Sequence, residues 1–439
     1  MEAAYHSKNS AMEAENHVKY GASSKSQMSG GNFRKSCFAF FMAGVILLLF
    51  TLCSTTATAQ AQISFEELMK QAQTLHSKIG ESFKEKDNQT GEKLSLEAIA
   101  LYNQLSKESQ ETYKWFQAAN YYNLACIYSL QNQKEKAIDA FEKTVNEYEY
   151  VNYSHANTDT DLDNIRTDQR FIALMESIRE KGDYVYILRQ SGKYQSADTT
   201  GLPRFTYEAA TSNNLRNVKG FFKLDSIAGQ GDEISKILHL LKWVQTNIRH
   251  DGSNYALCEF TSIDIYNYHK STGKEVNCRH LAFVLNEMYL AMGFKSRYVT
   301  CMPKDDGTDA HVINSVYSTT LKKWLWVDPT FNAYWKDENG NLLSIEEVRE
   351  RLINDRPLIL NDDANWNNQA QYTKEMYLDG WMSKYLYWFS CATDSRFNSE
   401  SRYRNTNQTY ICLVPWGYEP HPSNVETVIT HDAAYFWEN

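Results

Sequence analysis

Asn277-Cys278-Arg279-His280-Leu281-Ala282-Phe283-Val284-Leu285-Asn286-Glu287-Met288-Tyr289-Leu290-Ala291-Met292-Gly293 opens on a good N-cap residue and closes on a glycine stop. Between these ends, apolar Leu281, Ala282, Val284, Leu285, Met288, Tyr289 and Met292 recur at helical spacing. The pattern predicts a helix with Cys278 as its first residue. The start of a helix carries unpaired N–H groups and the positive end of the helix dipole. A thiol placed there loses its proton more readily than a free thiol, whose pKa is about 8.5.

Downstream, Phe294 to Cys301, Ala310 to Ser318 and Lys323 to Asp328 are rich in β-branched and aromatic residues and read as strands. An antiparallel hairpin centred between Thr319 and Thr320 puts His311 opposite Asp328, with Cβ atoms roughly 5 Å apart. The connection has no glycine to pin the register, but a slip of two residues leaves the pair as diagonal neighbours. A thiol, an imidazole and a carboxylate that orients the imidazole are the parts a nucleophilic attack on a carbonyl requires. Cys278, His311 and Asp328 are therefore the candidate catalytic residues, as nucleophile, base and orienting group.

Each of the three has a plainer use. A cysteine is most often a small buried hydrophobe, and Asp328 before Pro329 suits the start of a turn. One shared explanation for three matched positions is simpler than three separate ones. His280, two residues after Cys278, points to another side of the helix. His239, His250, His269, His421 and His431 have no comparable partner in the sequence and are expected to be structural or exposed.

The stretch from Ile234 to Ile359 resembles the bacterial transglutaminase-like superfamily, whose fold is related to papain-type thiol enzymes. The likeness lies in the helix Ile234 to Ile248, Asn277-Cys278-Arg279, Ala310-His311-Val312 and Trp326-Val327-Asp328-Pro329-Thr330. The downstream Lys336-Asp337-Glu338-Asn339-Gly340 and Leu343-Ser344-Ile345-Glu346-Glu347-Val348-Arg349 add to it. The resemblance implies the roles already given to Cys278, His311 and Asp328. One departure is Val276, where the family often has glycine two positions before the cysteine; it bears on the approach loop. The backbone N–H of Cys278 is a natural donor to an oxyanion. A second donor is expected from the Tyr255–His269 region. No cofactor and no metal is expected.

The 439 residues are enough for two or three domains. With 45 Lys+Arg against 54 Asp+Glu and no basic tract, the chain is not suited to nucleic acid. Arg34-Lys35, the apolar run Phe38 to Leu52, and Ala57-Thr58-Ala59 or Ala59-Gln60-Ala61 follow the order of a signal peptide. The apolar run is shorter than the roughly 20 residues of a spanning helix, so export with cleavage is preferred to a retained anchor. Residues 1–27 are polar and unlike a signal, so Met28 is a candidate start. Cys53 follows the large Leu52, which does not suit lipidation. The cysteines after the signal are six, Cys126, Cys258, Cys278, Cys301, Cys391 and Cys412. Reserving one as a reactive thiol leaves an odd number, so no complete disulfide framework is implied.

Residues from Ile63 to about Ile178 read as helical. Tyr121 to Tyr128 followed by Lys136 to Phe141 resembles one tetratricopeptide unit, with Leu124, Ala125, Tyr128, Ala137 and Phe141 at its packing positions. One unit cannot bury its own face. Phe65 to Phe83, Glu92 to Leu105 and Thr167 to Ile178 are the candidate supporting helices. Asp159, Asp161 and Asp163 suggest a calcium loop, but Asn164 stands where glycine is needed and Arg170 where glutamate is. A solvated acidic turn is the better reading.

The expected order is thus a signal peptide with an N-terminal extension (1–61), a tetratricopeptide-like domain (62–183), a transglutaminase-like domain (184–365) and a C-terminal α+β extension packed on the core (366–439). The fold class is α+β, with the cysteine-bearing helix packed on an antiparallel sheet that carries the histidine and aspartate. Tyr184 to Leu224 is expected to be a linker leading into short strands, and Tyr372 to Phe389 a helix. Two function classes follow. One is an exported thiol enzyme acting on peptide or protein amides, in the cell envelope or outside, by hydrolysis or transfer to an amine. The other is an inactive helical-repeat adaptor with an enzyme-like fold. In both, the helical repeat can hold a protein partner.

Overall fold

The structure is a computed structural model and describes residues 65–305, 309–400, 408–420 and 426–438. The expected signal peptide lies outside the described residues. Among the described residues, no helix is long and apolar enough to cross a membrane.

Helices Phe65–Glu85 (α1), Asn88–Tyr102 (α2), Lys114–Leu130 (α3), Lys134–Asn146 (α4) and Gln169–Gly182 (α5) dominate the N-terminal region. The hairpin α3–α4 buries Ala125 and Ala137 completely, and these small residues let the helices approach. Phe141 fills the space beside them and meets the Phe171 ring of α5 at 4.8 Å between centroids. This arrangement is consistent with a tetratricopeptide-like region. Its buried clusters are separate from those of the later residues.

Helix Glu233–Asn247 (α6), helix Ser262–Thr272 (α7) and helix Cys278–Ala291 (α8) precede the central sheet. The strands are Ser296–Met302 (β1), His311–Ser318 (β2), Lys323–Val327 (β3), Trp388–Ala392 (β4), Tyr410–Leu413 (β5) and Thr427–Thr430 (β6). They form one sheet in the order β6-β5-β4-β1-β2-β3. The β5–β6 pair is parallel and the other neighbours are antiparallel, so the sheet is mixed where an antiparallel one was expected. Three of its six strands come from the region read as a C-terminal extension.

Alternation along the strands explains the two cores. Tyr298, Val312, Val316, Leu325 and Val327 join the cluster around α8, while Val299, Cys301, Ile313, Trp326 and Phe389 join a second cluster. Residues 280–291 of α8 are buried on all sides, which sets the position of its first residue.

The β2–β3 register pairs Ser318 with Lys323 and Asn314 with Val327, two residues from the register centred between Thr319 and Thr320. The turn therefore holds four residues, 319–322, and Lys322 takes a left-handed φ of 54°. The carboxylate of Glu233, at the start of α6, accepts the Thr319 and Thr320 N–H groups at 2.9 and 2.8 Å, and the Ser318 hydroxyl at 2.6 Å. That anchor supplies the definition the glycine-free turn lacks.

Two expectations are corrected. The expected linker holds two helices, Tyr184–Gln190 and Asn213–Phe222, capped by Asp183 and Ser212, and its one strand is Thr206–Tyr207. Ile187 and Leu188 in one core, and Leu215, Val218 and Phe222 in the other, explain why helix wins. The expected helix from Tyr372 to Phe389 is a π-helical turn at Glu375–Asp379, a 3₁₀ turn at Met382–Leu386 and then β4. The chain breaks at Trp381, whose φ of −145° and ψ of −63° fit no continuous helix.

Candidate active site

Asn277 caps α8, accepting the His280 N–H on its side chain, so Cys278 is the first helical residue. The same Asn277 Oδ1 lies 2.6 Å from His280 Nδ1. His280 is thereby turned away from the sulfur and into the rings of Tyr255 and Phe260. His311 opens β2 opposite Cys301 of β1. Asp328 follows β3 and is fully buried. By extension of the observed register, His311 and Asp328 are diagonal neighbours, and His311 Nε2 lies 2.8 Å from Asp328 Oδ2. The other oxygen of Asp328 accepts the Thr330 N–H at 2.8 Å. With Nε2 on the carboxylate, Nδ1 is left for Cys278, with which the ring shares a hydrogen bond. The structure thus brings Cys278, His311 and Asp328 together.

Burial pushes the Cys278 thiol up, but hydrogen bonds from His250 and His311 and the electrostatic pull of both rings outweigh it and bring the thiol down to about 6. Burial opposes a charge on His311. The charge and hydrogen bond of Asp328, then those of Cys278, overcome it and raise the imidazole to about 10. The resting state these shifts favour is a thiolate beside an imidazolium. Such a pair has a nucleophile already formed and a proton ready for a leaving amine.

His250 corrects the sequence reading. Expected to be structural or exposed, it is buried and sits against the thiol. Its backbone bridges Val276, two residues before Cys278, which also shows what stands where the family often has glycine. The C-terminal region contributes as well. The Tyr377 hydroxyl reaches Asp328 Oδ2, and the Trp381 ring meets His311 edge-on at 4.7 Å. Arg279 reaches out of the cysteine motif to Glu400, whose carboxylate it meets at 2.8 Å through Nε. These contributions come from distant segments with no local signal in the sequence.

A further group that could hold a metal ion among the described residues is Cys126, Asp159 and Asp161. Asp159 is not simply a solvated turn residue. Its Oδ2 accepts the Tyr122 hydroxyl at 2.8 Å and lies 3.6 Å from the Cys126 sulfur. Burial, then the nearby carboxylates, push the Cys126 thiol well up.

Residues 222–329 match the transglutaminase-like superfamily. They span α6, α7, α8, the strands β1 to β3 and the positions of Cys278, His311 and Asp328. This part of the chain is a transglutaminase-like domain, of a superfamily made up generally of cysteine-dependent enzymes. No curated protein and no solved structure matches the chain.

Proposed function

We propose that the protein is an exported thiol enzyme that acts on amide bonds of peptides or proteins through Cys278, His311 and Asp328. The observation that carries this reading is the chain of contacts from the Asp328 carboxylate through the His311 ring to a lowered thiol at a helix start. An adaptor has no need of that arrangement. The export component rests on the order of charged, apolar and small residues before Gln62.

In this reading the Cys278 thiolate attacks the amide carbon. A carbon–sulfur bond forms and the carbonyl electron pair moves to oxygen. The developing oxyanion takes a hydrogen bond from the Cys278 N–H, which has no acceptor within its own helix. As the carbon–nitrogen bond breaks, the His311 imidazolium passes its Nδ1 proton to the leaving amine. A thioester on Cys278 remains. Water or an amine then gives a proton to His311, attacks the thioester and restores the thiolate. The helical repeat positions a protein partner or braces this domain.

The test is incubation with a thiol-directed amide probe, followed by profiling on cell-envelope peptides with and without added amine. Covalent labelling at Cys278 and peptide turnover are the expected result, and the amine arm separates transfer from hydrolysis. A protein that neither labels nor turns over any peptide amide is the adaptor instead.

A further inference from the structure

The site holds two imidazoles, and they are held in different ways. His311 is held by a carboxylate. His250 is held by a hairpin that lies outside the segment matching the superfamily. Asn365–Trp366 pairs with Ala370–Gln371, and Asn367 and Asn368 between them adopt left-handed φ values of 53° and 57°. Asparagine tolerates that region better than most residues. The hairpin is fixed to α6 by Gln245, whose Nε2 donates to Asn365 Oδ1 at 2.7 Å.

From that footing it grips His250 three times. The His250 N–H donates to Asn367 Oδ1 at 2.7 Å. Asn367 Nδ2 donates to the His250 carbonyl at 2.8 Å. The Trp366 indole N–H donates to His250 Nδ1 at 3.1 Å. The third contact fixes the chemistry. An indole N–H can only donate, so Nδ1 must present its lone pair there. The ring's single N–H is then on Nε2, which is buried and has no hydrogen-bond partner among the described residues of the protein. It is the nitrogen left to serve the Cys278 thiol, which the His250 side chain helps to lower.

We infer that Trp366 and Asn367 are positioning residues that lock His250 as a one-way donor, its Nε2–H aimed at the Cys278 thiolate and then at the acyl oxygen that develops beside it. His250 supplies the second oxyanion donor, and His311 alone moves protons. With Nδ1 occupied by the indole and Nε2 already protonated, His250 has no free lone pair with which to act as base. The substrate group it recognises is a carbonyl oxygen next to the bond being broken. This assignment rests on the thiol-amide reading for its catalytic half, while the tautomer is a property of the resting protein.

The experiment has two arms. In the first, the full chain is labelled with ¹⁵N-histidine and the ring nitrogens are observed by NMR at neutral pH. The resonances of His250 are assigned by their loss in His250→Gln, or by their shift in Trp366→Phe if that variant does not fold. His250 should be in the Nε2–H form in the parent, and Trp366→Phe, which keeps an aromatic ring and removes the N–H, should release it to a mixture of forms. A His250 ring protonated on Nδ1 overturns the lock.

In the second arm, His250→Phe should still let iodoacetamide alkylate Cys278, with the midpoint moved to higher pH, but should lose peptide turnover at any pH by roughly a hundredfold or more, the usual effect of removing one oxyanion donor. Trp366→Phe should fall between that variant and the parent. Turnover in His250→Phe equal to the parent overturns the donor role. If the parent turns over no amide at all, the enzyme reading fails by itself, and the NMR arm still decides whether the hairpin fixes the ring.

Discussion

Tyr377 donates its hydroxyl to Asp328 Oδ2 at 2.6 Å. The same oxygen takes the His311 ring at 2.8 Å, so a tyrosine beyond the superfamily segment shares the atom that orients the imidazole. Burial raises the phenol well above its ordinary value, then Asp328 raises it further, which keeps it a donor. Tyr377→Phe removes that donor and little else. A hydrogen bond to a charged group contributes about 1.5–3 kcal/mol. The expected outcome is a loss of thermal stability in that range. Turnover should also fall by roughly tenfold, since about 1.4 kcal/mol of lost orientation is one order of magnitude in rate. Calorimetry and kinetics on the same preparation check both. An unchanged rate would mean that His311 and Thr330 are enough to hold the carboxylate.

Cys278 should react as a thiolate at pH values where ordinary thiols do not. With the thiol lowered to about 6, its alkylation rate should rise as pH increases through about 6 and then level off, where a free thiol would rise near 8.5. Burial pushes Cys301 and Cys391 the other way, so peptide mapping should find the early label on Cys278. Cys278→Ala should abolish that label and all turnover while leaving the fold intact. In His311→Ala the midpoint should move up, because burial then acts with one imidazole fewer to oppose it. A midpoint near 8.5 in the parent would exclude a resting ion pair.

Glu233 ties the turn between the histidine-bearing and tryptophan-rich strands to α6, and its contribution should depend on pH in a definite direction. Burial raises this carboxyl, but hydrogen bonds from Ser318, Thr319 and Thr320 outweigh it and hold it near 2. A carboxyl lowered in the folded state stabilises fully above its unfolded value, 4.5 here, and loses that contribution as pH falls towards about 2. Glu233→Gln should therefore unfold at a lower temperature than the parent at neutral pH. The gap should shrink between pH 4.5 and pH 2. Thermal unfolding followed by circular dichroism across that range measures it. A constant gap would mean that shape, not charge, makes the anchor.

Much of this architecture was legible because it is periodic. The apolar spacing after Asn277 gave α8, and the small residues Ala125 and Ala137 gave the helical hairpin. The β-branched runs gave β1 to β3. What failed was what depends on distant partners. No rule of turn chemistry places Lys322 at a φ of 54°; the turn is set by Glu233, far back in the sequence. The segment from Tyr372 reads as a helix by composition, yet its tyrosine and tryptophan are drawn to Asp328 and His311 and the helix breaks. His250 was missed for the same reason. Its partner Trp366 lies 116 residues away, and the asparagine-rich stretch before Gln369 was the one hint of a tight, hydrogen-bonding turn.

His311 and Asp328 should behave as one unit. The carboxylate holds Nε2 at 2.8 Å, which leaves Nδ1 for the sulfur and stabilises the charged ring. Without the base, no thiolate–imidazolium pair forms and no proton reaches the leaving amine. His311→Ala should lose turnover by roughly a hundredfold or more. Asp328→Asn keeps an acceptor for some of its partners but loses the charge that raises His311, so it should fall between His311→Ala and the parent. The double variant should be little worse than His311→Ala, because the aspartate acts through a ring that is no longer there. Turnover of an amide substrate found for the parent is the measurement, with folding checked by circular dichroism. Losses that multiply in the double variant would mean that Asp328 works on the reaction by a route that bypasses His311, and the two residues would have to be assigned separate roles.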